Sequence, residues 1–130
     1  MRKSPEQELY DEIYKKALEL GVDVYQHSPD ESAAYPFIKL SNTQLVPTAT
    51  KSYLLGTIHV DFDVWGDSGS RKTVSDLANS LLKAISKIRV LPSGLRVAMQ
   101  YDVTSTEIMT DTSTTSDLWR ARCLTRYTLV

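Results

Sequence analysis

Three side chains that could do chemistry together alternate along one short stretch of the sequence. His59, Asp61 and Asp63 occupy every second position between Thr57 and Trp65. Alternate side chains of a β-strand point to the same face, so the imidazole and the two carboxylates would lie side by side. Such a group could bind a cation or act as a carboxylate pair. The simpler alternative, which we favour, is the solvated outer face of an amphipathic strand.

Other candidate reactive residues give weaker signals. His27, Ser28 and Asp30 are the residue types of a catalytic triad, but neighbours in sequence seldom reach triad geometry. The segment "GDSGS" at 66–70 resembles the surroundings of a protease serine, yet small residues are also what a strand-to-helix turn requires. The same turn could bind an anion at the start of the following helix, but its glycines lack the spacing of phosphate-loop and dinucleotide-binding motifs. We therefore expect no catalytic residue, no metal and no cofactor.

Cys123 is the only cysteine of the chain. It alternates with apolar residues, which predicts a buried small hydrophobic side chain rather than a nucleophile. One cysteine also excludes an internal disulfide and a multi-cysteine metal site.

A basic row on the last predicted strand is the first candidate surface for protein contact. Arg120, Arg122 and Arg126 share one face of that strand. They could pair with the acidic row of Asp61 and Asp63, either on a neighbouring copy of the chain or within the same subunit. Both alternatives remain open from the sequence.

A segment rich in threonine and serine, 104–116, is the second candidate surface. Its low apolar content predicts a mobile loop or a β-hairpin arm. Thr110 and Thr112 would contact a partner if the arm orders on binding, whereas a flexible surface loop is the simpler interpretation.

Two stretches have the spacing of amphipathic helices. The first is predicted over 5–20, because Ser4 can cap it, Pro5 suits its first position and Gly21 ends it. The second is predicted from Arg71 to about Ile88, with Ser70 as its N-cap. Each has one apolar face, formed by Leu9, Ile13, Ala17 and Leu20 in the first helix and by Val74, Leu77, Ala78, Leu81, Leu82, Ile85 and Ile88 in the second.

Strands are predicted where apolar residues alternate or where prolines bound a short apolar run. A short strand lies around Val24, and another begins near Phe37. The segment 41–56 is interpreted as a turn or an edge bulge because of Pro47 and its hydroxyl residues. Three further strands are predicted over 54–65, over 95–103 with Val97, Met99, Tyr101 and Val103 on one side, and over 118–130.

These elements predict one α+β domain over 1–130, an antiparallel β-sheet with two α-helices packed on one face. A chain of 130 residues with 42% hydrophobic residues is large enough for one core. The formal net charge of −1 lacks the basic excess expected of a protein that binds mainly nucleic-acid phosphates. No apolar run suggests a membrane span or a signal peptide, so we expect folding in a cytoplasm and no membrane partner.

The order of these segments resembles the tail completion, or tail terminator, proteins of long-tailed bacteriophages. That family has a "V-Y" and "YPF-I/V" stretch near its start, followed by a "V-D-V-W-S/G" strand and a helix after a polar turn. The matching residues here are Val24, Tyr25, Tyr35, Pro36, Phe37 and Ile38, then Asp63, Val64, Trp65 and Gly66, then Val74 through Leu82.

The resemblance implies a non-enzymatic virion protein that caps the tail tube and joins tail to head. Its partners would be further copies of itself in a ring, expected to be a hexamer, the tail-tube protein and a head connector or stopper protein. The alternatives are a head-side connector or adaptor of the same joint, and a small metal- or ligand-binding α+β domain that uses His59, Asp61 and Asp63. No catalytic residue can be transferred from the family.

Overall fold

The computed structural model describes residues 3–30, 32–48, 55–112 and 117–130. Its elements, in chain order, are helix α1 (Pro5–Leu18), strands β1 (Asp23–Tyr25), β2 (Phe37–Thr48) and β3 (Leu55–Gly66), helix α2 (Arg71–Ile85), strand β4 (Val97–Met99), a 3₁₀ turn (Tyr101–Val103), and strands β5 (Ser105–Asp111) and β6 (Leu118–Leu129). The predicted α+β class is confirmed.

The sheet has the order β1-β2-β3-β6, and both β4 and β5 pair with the other edge of β6. All described pairs are antiparallel except β1 with β2, which is parallel. The sheet is therefore mixed. The sequence had predicted a purely antiparallel sheet. The reason lies in segment 26–36, which is long enough to bring the chain back to the end of the sheet where β1 starts, whereas a tight hairpin would reverse its direction.

The core forms between the sheet and the helices. Along β3 the even-numbered side chains from Ile58 to Val64 are fully buried. They belong to one apolar cluster with residues of both helices, namely Leu9, Ile13 and Ala17 of α1 and Val74, Ala78, Leu81 and Ile85 of α2. Removing each large side chain from water contributes about 1.5–3 kcal/mol. A shared cluster fits the prediction that both helices pack on one face of the sheet.

Helix α1 starts as predicted and ends two residues early. The hydroxyl of Ser4 accepts a hydrogen bond from the Gln7 N–H at 3.3 Å, which satisfies a free donor of the first turn. The chain leaves the helix through a turn that ends at Gly21, whose φ of +79° favours glycine. Glu8 is buried, and its carboxylate accepts hydrogen bonds of 2.8 Å from the backbone and the hydroxyl of Ser93. These bonds tie α1 to the turn that follows α2.

Helix α2 starts at Arg71 after Ser70, as predicted, and ends before Ile88. Ser70 precedes the helix, but its side chain makes no capping bond and instead donates to the carboxylate of Asp67. The helix ends at Ile85 rather than Ile88, where the Ser86 hydroxyl donates to the Lys83 carbonyl at 2.7 Å. Ile88 is still buried, because the turn after the helix keeps it against the core.

For segment 41–56 the turn alternative was wrong over residues 41–48, which continue β2, whereas the edge-bulge alternative is confirmed. Pro47 lies in the strand opposite Gly56, on a part of β2 that pairs only with β3 within the described residues, and such edge positions are where proline is tolerated in a sheet. A shift of register between Leu40 and Thr43 is the expected bulge. Residues 49–54 lie outside the described part.

The prediction of one strand over 95–103 was also wrong. Strand β4 ends at Met99, and the side chains of Tyr101 and Val103 are 62% and 40% exposed instead of sharing the buried face of Val97. The chain turns here because one edge of β6 receives both β4 and β5. Residues 105–111 form the hairpin strand that was one alternative for segment 104–116, while 113–116 lie outside the described residues.

Candidate interaction surface

The outer face of the sheet, defined by the odd-numbered side chains of β3 and the even-numbered side chains of β6, carries the predicted charged rows. In the antiparallel register His59 lies opposite Arg126, Asp61 opposite Leu124 and Asp63 opposite Arg122. Directly opposite residues share a face. The structure thus brings the acidic and basic rows together within one subunit.

Asp63 and Arg120 form the ion pair of this face. Arg120 Nε donates to Asp63 Oδ1 at 3.0 Å, and the Ser41 hydroxyl donates to Asp63 Oδ2 at 2.9 Å. Asp63 is only 4% exposed, so the expectation of a solvated strand face was wrong for this residue. A buried carboxylate needs such partners, because an unpaired one loses its hydration without compensation.

A row of alternating charge crosses four strands of the outer face. Lys39 of β2 lies opposite Asp63, Asp63 lies opposite Arg122 of β6, and Arg122 lies opposite Glu107 of β5. Opposite charges at directly paired positions stabilise a sheet and penalise other registers. Sequence reasoning missed Lys39 and Glu107, because their place in the row depends on strand pairing that a single sequence does not give.

An aromatic cluster lies beside this row, formed by Tyr25, Tyr35, Phe37 and Trp65. The ring centroid of Phe37 is 5.4 Å from both tyrosines and 6.4 Å from Trp65. The guanidinium of Arg120 lies 4.9 Å from the centre of the Trp65 ring, in cation–π geometry. The signal for this cluster was present in the sequence, since all four aromatic residues belong to the motifs that carry the family resemblance.

A groove of about 420 Å³ lies on the outer face beside the ion pair. We call it the arginine groove; His59, Asp61, Arg122, Leu124 and Arg126 line it from β3 and β6. Burial raises the pKa of Asp61, and the nearby positive charge of Arg122 partly opposes that shift. The groove therefore contains three of the predicted contact residues, Asp61, Arg122 and Arg126.

Thr110 and Thr112 lie apart from the arginines. Both are exposed, and Thr110 is paired with Trp119, on the opposite face of β6 from Arg120. The indole of Trp119 donates to the Ser68 carbonyl at 3.2 Å, and Arg71 lies 5.5 Å from its ring centre. The two predicted surfaces are thus separate features of the fold.

The remaining candidates for chemistry are not assembled in the part of the chain that is described. Within these residues no three His, Cys, Asp or Glu side chains are grouped to hold a metal ion. His27 and Ser28 are exposed, and the Asp30 carboxylate accepts from the backbone of Ser32 at 3.0 Å.

Cys123 is fully buried, as predicted, and burial raises the pKa of its thiol to about 11. Among the described helices, none is long and apolar enough to cross a membrane.

Comparison with known proteins gives one curated relative. The chain matches no protein-family model. It is 27% identical over 101 residues to the tail completion protein gp17 of Bacillus phage SPP1, a match that spans 78% of this chain and 73% of that protein.

Among the solved structures that share the fold are two chains that cover nearly all of this one. A chain from the virion of a native gene transfer agent particle superposes with a TM-score of 0.67 at 15% identity, covering 97% of this chain and 94% of that one. A second solved chain gives a TM-score of 0.54 at 15% identity and covers 98% and 97% of the two chains. At this identity the two superpositions establish the fold, and the curated match confirms the resemblance of this chain to the tail completion proteins of bacteriophages.

Proposed function

We propose that this protein is a non-enzymatic structural component of a long-tailed phage that caps the tail tube and forms the joint between tail and head. The observation that carries the proposal is the match to a tail completion protein over 78% of the chain. The aromatic cluster supports it, because the motif residues shared with that family converge in space instead of being scattered. The protein would act in the virion after assembly in the host cytoplasm.

The fold has surfaces suited to a ring. Within the described residues, β5 and the part of β2 beyond Lys39 each have a strand neighbour on one side only. Such edges offer backbone donors and acceptors to a neighbouring chain. In a ring each copy presents two different surfaces to its neighbours, so the edges at opposite sides of the sheet are available for that role. We propose a hexamer, with the tail-tube protein on one side and the head connector on the other.

The proposal is tested by adding the purified protein to tail tubes assembled without it. Electron microscopy should show an added ring at one end of each tube, and sedimentation should show the protein moving with the tubes. Heads should then join capped tubes and not bare ones. A heat-denatured sample of the same protein is the control for adsorption.

Other outcomes of this experiment have definite meanings. Binding to isolated head connectors but not to tubes would replace the terminator role by that of a head-side adaptor. Binding to neither would contradict a role in the joint.

A further inference from the structure

The arginine groove contains an arginine whose Nε is left without an acceptor by the described residues. Arg126 Nε is buried and finds no hydrogen-bond acceptor among the described residues. A buried donor without an acceptor costs free energy of folding, and a guanidinium keeps its charge at any ordinary pH. This is the opposite of Arg120, whose Nε is paired with Asp63. The side chain of Arg126 also lines the groove, so an acceptor supplied from outside can approach its guanidinium, and would reach the buried Nε only if the side chain turns towards it.

The groove has an excess of positive charge. Arg122 and Arg126 line it together with one carboxylate, that of Asp61, and with His59. Within the groove these two arginines face one carboxylate; Arg122 also lies opposite Asp63 and Glu107 in the strand register, whereas Arg126 lies opposite His59. An incoming carboxylate would find charge complementarity here, and the fork of donors on an arginine suits carboxylate oxygens.

Exposed apolar side chains border the same groove. Leu124 and Val103, which both line it, are 39% and 40% exposed. Arginine is enriched among the residues that dominate binding energy at interfaces, and the buried centre of an interface is more apolar than its rim. A free anion would leave these two side chains in water, whereas a peptide segment would cover them.

From these observations we infer that the arginine groove binds a segment of a neighbouring virion protein in which a carboxylate side chain stands next to an apolar one. The carboxylate accepts from Arg126 and Arg122, and the apolar side chain covers Leu124 and Val103. This inference rests on the proposed function, because it takes the partner to be a protein of the head–tail joint. The inference assigns Arg126 and Arg122 to the partner, Arg122 in addition to its place in the row of alternating charge, whereas Arg120 is paired with Asp63.

The first test is Arg126→Met, which keeps the apolar stem and removes the unsatisfied donor. The variant should be at least as stable as the unchanged protein in thermal unfolding, yet bind tubes or connectors at least tenfold more weakly. The matched control is Arg89→Glu, which alters an exposed arginine after α2 and should leave binding unchanged. Undiminished binding by Arg126→Met, in an assay where the unchanged protein binds, would overturn the inference and leave the proposed function standing.

The second test identifies the occupant. A photoreactive benzoylphenylalanine at Leu124 should cross-link, in joints reconstituted from purified parts, to one segment of another virion protein that contains Asp or Glu. The same probe at the exposed Val90 is the control. Exchanging charges, with Arg126→Glu here and the cross-linked acid changed to Lys, should restore binding. Cross-links between copies of this chain, or joints without cross-links at Leu124, would overturn the inference.

Discussion

At the scale of single residues, Arg120 stabilises the outer face by compensating a buried charge. Among the described side chains, Arg120→Ala would leave the Asp63 carboxylate with the Ser41 hydroxyl as its hydrogen-bond donor. We expect the free energy of unfolding to fall by about 2 kcal/mol, because breaking a largely buried pair leaves the Asp63 carboxylate buried without its positive partner. Urea unfolding followed by far-ultraviolet circular dichroism measures the change.

Arg122→Ala is the control for this ion pair, because its side chain is exposed and its loss should cost less than about 1 kcal/mol. The double variant Asp63→Ala/Arg120→Ala should lose less free energy of unfolding than the two single variants lose in total. Equal effects of Arg120→Ala and Arg122→Ala would show that the pair does not stabilise the fold.

Cys123 makes stability depend on pH in the alkaline range. Burial raises the pKa of its thiol from 9.0 to about 11. The unfolded thiol ionises first, so the stability that is fully present below pH 9 is lost as the pH rises towards 11. The loss should approach about 1.4 kcal/mol per pH unit. Comparison with Cys123→Ala isolates this contribution, since Tyr127, whose pKa burial also raises, titrates in both proteins.

At the scale of elements, the turn from β3 to α2 depends on a glycine for close packing. A Cβ on Gly66 would lie 2.5 Å from Val74 Cγ2 and 3.0 Å from Ser70 Cβ. Val74 is fully buried and cannot move aside freely. Gly66→Ala should therefore destabilise the protein by about 1–3 kcal/mol, which a fall in melting temperature measures.

Gly69 offers the matched control in the same turn, because a Cβ there meets nothing within 4 Å. Gly69→Ala should leave the melting temperature nearly unchanged. Adding Val74→Ala to Gly66→Ala should recover part of the packing strain, whereas equal effects of the two glycine changes would indicate that backbone freedom matters here and not space.

Local signals predicted the elements well where one short pattern decides them. Ser4 and Pro5 place the start of α1, and strict alternation identifies β3 and β6. Features that depend on pairing between distant segments could not be predicted. The burial of Asp63 depends on its ion pair with Arg120 of another strand. Pro47 can lie within β2 because that part of β2 pairs, among the described residues, with β3 alone. The sequence predicted part of the arginine groove, because its arginines alternate along β6, but it placed Val103 in a strand whereas Val103 lies in the 3₁₀ turn.

At the scale of the whole molecule, the shared core predicts that sheet and helices unfold together. Buried residues of both helices, of β3 and of β6 form one cluster, which is the basis for proposing a single domain over 1–130. Trp65 on the outer face and Trp119 on the opposite face report on the two sides of the sheet. Trp65→Phe and Trp119→Phe each leave a single tryptophan. Within each variant, the urea midpoint measured by fluorescence should therefore equal the midpoint measured by circular dichroism.

Separate transitions would instead show that one side of the sheet opens before the other. The β5 hairpin is the element where this would appear, since β5 pairs only with β6 among the described residues and its side chains are mostly exposed. An early transition reported by the Trp119 fluorescence of Trp65→Phe would identify β5 as a part that orders on assembly. Coincident transitions would mean that the isolated subunit already has a complete sheet, so that binding to a partner adds contacts without ordering β5.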